Sequence, residues 1–145
     1  DQSRFHERVA TVSFTHQRFT SAQLAEHLGS RGIFAWHGNY FAWFEVGRTD
    51  LLRHLGSTYR EMEALGLRLP VIDCSARYRR PARYDDELEV LTRLRAMGGA
   101  RLEFEYEVRR SGQQDLLATG ATTHASTDPA GRPRRLPDEL RRRLQ

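Results

Sequence analysis

Lysine is missing from all 145 residues; the 23 basic side chains are arginines without exception. No lysine can therefore form a Schiff base with pyridoxal or a carbonyl substrate, and no cofactor is expected. Cysteine occurs once, at Cys74, which excludes an intrachain disulfide and any multi-cysteine metal site. Its place in a strand-like run suggests a small buried hydrophobe. The histidines (His6, His16, His27, His37, His54, His124) lack metal-ligand spacing, so no metal is expected. No apolar run approaches the ~18 residues of a membrane span, and no basic start leads into an apolar secretory segment. The expected setting is cytoplasmic, with no membrane partner.

The basic excess is localised. Six arginines between Arg132 and Arg143, against Asp138 and Glu139, hold the entire net charge of +4. Residues 1–131 are balanced, whereas a nucleic-acid reader carries a basic face on its body. No nucleic-acid partner is expected. At 39% hydrophobic and 29% charged, 145 residues suit a single globular domain.

Periodicity divides that domain into a helical first half and a stranded second half. Leu102, Phe104, Tyr106 and Val108 alternate with Arg101, Glu103, Glu105 and Glu107, a strand with one buried face. Glu87–Arg95 alternates through Leu88, Val90, Thr92 and Leu94, and Gly98-Gly99 marks the hairpin between the two. Leu116–Ser126 and Leu69–Tyr78 read as further strands. Asn39 is the expected cap of a helix from about Tyr40 to Leu55, ended by Gly56. Its inner stripe is Tyr40, Phe44, Gly47, Leu51 and Leu55. Gly47 costs ~1 kcal/mol in mid-helix, which close approach by a sheet would offset. Thr58 and Glu61 form a capping box for a short helix stopping at Gly66. A second amphipathic piece, Ser21–Ser30, lies between strand-like Arg8–Phe14 and Ile33–Trp36. A long helix followed by four antiparallel strands predicts an α+β fold in which a sheet wraps around a central helix.

Particular motifs make this pattern familiar. The run from His37-Gly38-Asn39-Tyr40 through Glu45 to Asp50, then Leu69-Pro70-Val71 and Arg77 to Asp86, and then Ala118-Thr119-Gly120 and Arg132 to Pro137, resembles the hotdog-fold acyl-CoA thioesterases. The relatives are the 4-hydroxybenzoyl-CoA and enediyne polyketide types. The resemblance covers about residues 37–140. Residues 8–43 instead resemble the C-terminal small domain of fold-type I pyridoxal enzymes, the cysteine-desulfurase-like group. The cues are Val12 to Thr15, Leu24 to Leu28 and Arg31 to Tyr40. Two explanations stay open: a natural thioesterase with a helical insertion, or a recombined or designed chimera that keeps the fold without catalysis. The expected layout is a strand-helix-strand segment at 8–36, a hotdog-like core at 37–128 and a basic tail at 129–145.

The hotdog resemblance implies hydrolysis of an acyl-CoA or acyl-carrier-protein thioester by a homodimer or homotetramer. It implies backbone donors for the oxyanion near Asn39 and Tyr40, at a helix start whose first amides are unpaired. Gly38 would let the thioester carbonyl approach the backbone. The aspartate that the family places before this helix is absent, since no acid lies between Glu26 and Glu45. Activity could be impaired for that reason. Glu45 is the remaining candidate base or nucleophile, the alternative being an ion pair with Arg48. His37 is a candidate for polarising the carbonyl or orienting water. Arg77, Arg79, Arg80 and Arg83 could bind coenzyme A phosphates, or could instead pair with Asp85, Asp86 and Glu103–Glu107.

Overall fold

The computed structural model of the protein describes residues 7–13, 37–83 and 86–145. The elements run β1 (Glu7–Ser13), α1 (Asn39–His54), α2 (Tyr59–Ala64), β2 (Val71–Tyr78), β3 (Glu87–Met97), β4 (Arg101–Arg110), β5 (Leu116–Ala125) and α3 (Asp138–Arg143). The strands form one antiparallel sheet in the order β1-β3-β4-β5-β2. The α+β arrangement expected from the sequence is present, with α1 laid across the sheet. The expected helix at Ser21–Ser30 and strand at Ile33–Trp36 lie outside the described residues. β1 pairs with β3 from Glu7↔Arg93 to Ser13↔Glu87. The boundary expected at residue 37 therefore does not divide the sheet, because an N-terminal strand completes one of its edges.

Period-two alternation buries one face of the sheet. Leu88, Val90, Thr92 and Leu94 of β3 and Leu102, Phe104, Tyr106 and Val108 of β4 are all buried. Onto this face α1 presses Tyr40, Phe44, Gly47 and Leu51, a stripe widened by Trp43, Arg48 and Leu52. Two glycines set how closely helix and sheet approach. A Cβ on Gly47 would collide with Thr92 Oγ1 and come within 2.9 Å of Val90 Cγ1. A Cβ on Gly120 would collide with the Phe44 ring and come within 2.9 Å of the Ser75 carbonyl oxygen. Freed of that Cβ, Phe44 stacks on Tyr106 with centroids 4.5 Å apart and planes at 14°. The opposite side of α1 (Phe41, Ala42, Glu45, Val46) is exposed.

A polar chain runs through this core. Arg48 Nε donates to the Tyr59 hydroxyl at 2.8 Å, so Arg48 turns inward and does not form the ion pair with Glu45 that its spacing allowed. The Tyr106 hydroxyl meets Thr122 Oγ1 at 2.7 Å. His124 Nε2 meets the same Thr122 oxygen at 2.9 Å, and Nδ1 meets the Leu69 carbonyl at 3.0 Å. Both ring nitrogens of His124 are thus engaged within the core.

Residues 129–145, expected as a basic tail, fold back on the body. Leu136, Leu140 and Leu144 are buried. Arginines of the same segment bind backbone carbonyls at helix ends and turns: Arg143 to Gly56 at 2.7 Å, Arg134 to Leu65 at 2.8 Å, and Arg141 to Gly98 at 2.9 Å. Cation and hydrogen-bond donor together suit the carbonyls left open where α1 and α2 end. Gly56 and Gly66 close those helices in the left-handed conformation, at φ 71° and 68°. The Thr58/Glu61 capping box opens α2 as expected.

Two outcomes follow from this packing. Gly120→Ala should cost about 2–3 kcal/mol in urea denaturation, because a strand carbonyl and a stacked ring cannot both yield. Gly99→Ala, with nothing within 4 Å, should stay within about 0.5 kcal/mol. The second concerns His124, whose imidazole is pushed down to about 4 from its ordinary 6.5, chiefly by burial, with the Arg48 charge adding to it. The unfolded chain then binds a proton that the folded chain refuses. Stability should fall as pH drops from about 6.5 to about 4, by about 3 kcal/mol in all. Denaturation midpoints measured across that range should show the slope in the native chain and a flatter one in His124→Gln.

Candidate active site

The residue before α1 is Gly38, at φ −65° and ψ −23°, and among the described residues no side chain caps the first turn. Asn39, the expected cap, is itself the first helical residue. Helical backbone at Gly38 starts the helix one residue early, which removes Asn39 from the capping position. The Tyr40 amide donates to the His37 carbonyl and the Phe41 amide to the Gly38 carbonyl, both at 3.3 Å. No hydrogen bond within the described residues engages the amides of Gly38 or Asn39. Of the amides expected as donors near Asn39 and Tyr40, that of Tyr40 is already engaged by the His37 carbonyl, and the positive end of the helix dipole lies at this turn.

A cavity of about 290 Å³ lies beside this helix start, lined by His37, Tyr40, Tyr78, Arg79, Arg80 and Pro81. Three rings shape it. Tyr78 sits edge-on to Tyr40 with centroids 5.0 Å apart, and edge-on to His37 at 6.5 Å. The Tyr40 hydroxyl accepts a hydrogen bond from the Ala82 amide at 3.2 Å. Burial raises the Tyr40 pKa, partly offset by that amide, so Tyr40 stays a neutral phenol at physiological pH. The Arg79 and Arg80 amides both donate to the Leu117 carbonyl, at 2.8 and 3.0 Å, and fix the turn that brings their side chains to the cavity.

The four candidate arginines do not act together. Arg77 points to the other face of the sheet, where it lines a depression of about 430 Å³ with Ser75, Arg93, Glu105, Glu107 and Thr119. Strand alternation is the reason, because Arg77 and Tyr78 must face opposite ways. Arg80 is paired with Asp115 at 2.6 Å. Arg83 is exposed, and its backbone amide donates to Asp86 at 2.7 Å. Arg79 lines the cavity without a carboxylate in ion-pair reach among the described residues. Glu105 and Glu107 of β4 are instead partnered by Arg93, Arg95 and Arg109, and Asp86 by Arg110 at 3.0 Å.

Glu45 does not line the cavity. It lies about 9 Å along the axis from Asn39, exposed on the outer side of α1 between Phe41 and Val46. Helical side chains lean toward the amino end, however, so its carboxylate extends back over the preceding turn. Cys74, expected to be buried, is exposed on β2. β2 is an edge strand of the sheet, and α1 leaves its inner side uncovered. Tyr78 was not singled out from the sequence. Its strand-end position, with inward parity shared by Cys74 and Ala76, was the available signal.

Comparison with known proteins identifies the family and the fold. Residues 32–144 match the model of the Thioesterase-like superfamily, and the chain belongs to that family. It is 33% identical over 87 residues to YneP of Bacillus subtilis, whose name assigns it as an acyl-CoA thioesterase; that match covers 59% of this chain and 63% of the relative. The chain therefore spans less than two thirds of that relative's length. It is 30% identical over 110 residues to the acyl-CoA thioester hydrolase YbgC of Escherichia coli O6:H1, across 75% of this chain and 81% of that one. Among solved structures, the hypothetical protein TT1821 from Thermus thermophilus superposes with a TM-score of 0.78 at 30% identity, over 94% of this chain and 95% of its own. The fold is that of the hotdog thioesterases. Because this one likeness covers 94% of the chain, the comparisons give no support to a junction between two unrelated families.

Proposed function

We propose that this chain hydrolyses acyl thioesters carried by coenzyme A, with an acyl carrier protein as the alternative carrier. The carrying observation is the amino end of α1, uncapped among the described residues, beside an aromatic cavity lined by Arg79, which has no carboxylate partner among those residues. In this reading the amides of Gly38 and Asn39 hold the oxyanion as water adds to the carbonyl. Glu45 takes the proton of that water. His37 and Tyr40 flank the carbonyl, and the tetrahedral intermediate collapses by breaking its C–S bond and releasing the thiol. Arg79 is the first candidate for a coenzyme A phosphate, with Arg83 exposed nearby and Arg80 shared with Asp115.

A homodimer is the assembly that the exposed surface supports. Among the described residues β2 leaves one backbone edge unpaired, with Val71 at 49% and Ile72 at 52% exposure. A bare apolar edge of this kind invites pairing with another chain. Phe41 and Val46 beside Glu45 are exposed as well, and a second copy would exclude water from the flank that carries the base.

Thiol release from a panel of acyl-CoAs tests the activity. Glu45→Gln should lower kcat by about 10²-fold, and turnover unchanged by that substitution removes Glu45 from the reaction. No release from any acyl-CoA or acyl carrier protein would favour the inert reading. Light scattering should return twice the chain mass of 16.8 kDa; a monomer at every concentration overturns the dimer.

A further inference from the structure

The Tyr78 hydroxyl donates to the His37 carbonyl at 3.0 Å. Tyr78 is 46% exposed, so water could satisfy that hydroxyl equally well, and the core does not need the bond. The oxygen it chooses is the one that also receives the Tyr40 amide. It belongs to the peptide linking His37 to Gly38.

From this we infer that Tyr78 is a positioning residue for the oxyanion donor, acting from the sheet on the peptide plane that carries the Gly38 N–H. A trans peptide holds its C=O and N–H in one plane, pointing in opposite directions. Fixing the His37 oxygen therefore aims the Gly38 hydrogen. A hydrogen bond to that carbonyl also polarises the peptide and strengthens the N–H as a donor. Among the described residues no side chain caps α1; the bond from Tyr78 instead anchors the carbonyl of the peptide that leads into the helix. The end of β2 is a firm support for it. Tyr78 is in register with Ala118 of β5, and its edge-on contact with Tyr40 ties it to a ring held by the Ala82 amide. Sheet, aromatic pair and first helical turn thus form one continuous brace. Tyr78 need not touch the reacting atoms; it acts through Gly38.

The inference rests on the proposed thioesterase reading, and its test separates the two. Tyr78→Phe keeps the ring and removes only the hydroxyl. The Gly38 amide resonance in ¹H–¹⁵N spectra should move in the variant, and the melting temperature should stay within about 2 °C, as expected for a half-exposed site. With benzoyl-CoA and hexanoyl-CoA as probes, kcat should fall about five- to tenfold, the scale of one hydrogen bond, with KM kept within about twofold. A Gly38 resonance that does not move overturns the inference, as does one that moves while kcat is unchanged. A rise in KM at constant kcat also overturns it, since Tyr78 would then be a substrate contact. Absence of turnover in the native chain on both probes and on the wider acyl-CoA panel would instead sink the thioesterase reading, while the Gly38 resonance still reports whether the brace exists.

Discussion

The contact between α1 and the sheet is closer than side chains normally permit, and the rest of the structure depends on it. Gly47 on the helix and Gly120 on β5 each omit a Cβ for which there is no room. Their absence lets Phe44 lie flat on Tyr106 and brings the helix down over β3 and β4. A helix interior glycine costs ~1 kcal/mol in propensity, a strand glycine weakens its strand, and both are recovered through burial of the large side chains around them. With α1 held at that depth, its amino end emerges at the level of the end of β2. His37 and Tyr40 at the helix start consequently share one cavity with Tyr78 and Arg79.

Charge is distributed to match. The arginines of the C-terminal segment reach carbonyls at the ends of α1 and α2, so the negative ends of these helices are covered while no described side chain caps the positive end of α1. Arg48 is deep in the core on the Tyr59 hydroxyl, and Glu105 and Glu107 are matched by arginines of β3 and β4. Among the described residues, Arg79 has no carboxylate in ion-pair reach and the Gly38 and Asn39 amides have no hydrogen-bond partner. In the proposed reading that arrangement suits an anion forming at the helix start.

Much of this was legible in the residues. Alternation in β3 and β4, the Gly98-Gly99 hairpin, the Thr58/Glu61 box and the α1 stripe were read with nearly correct bounds, because each is a local pattern with its own period or turn chemistry. Gly47 was read as a point of close approach, which Thr92 and Val90 confirm. Other residues depended on distant neighbours. Arg48 had Glu45 three positions away and went to Tyr59 instead. Cys74 was apolar enough to bury, yet it stands on an edge that nothing in the described residues covers. Six arginines near the C-terminus looked like a solvated run until Leu136, Leu140 and Leu144 drew the segment inward.

The sequence by itself determined the main elements, the buried faces of β3 and β4 and the family, since periodicity, capping and motif order are properties of neighbours along the chain. Only the tertiary structure decided which of Arg77, Arg79, Arg80 and Arg83 share a cavity, that Gly38 rather than Asn39 precedes α1, and that Tyr78 reaches the His37 carbonyl. Those outcomes hinge on strand parity at the sheet edge and on contacts between residues about 40 positions apart, distances over which sequence spacing carries no geometric information.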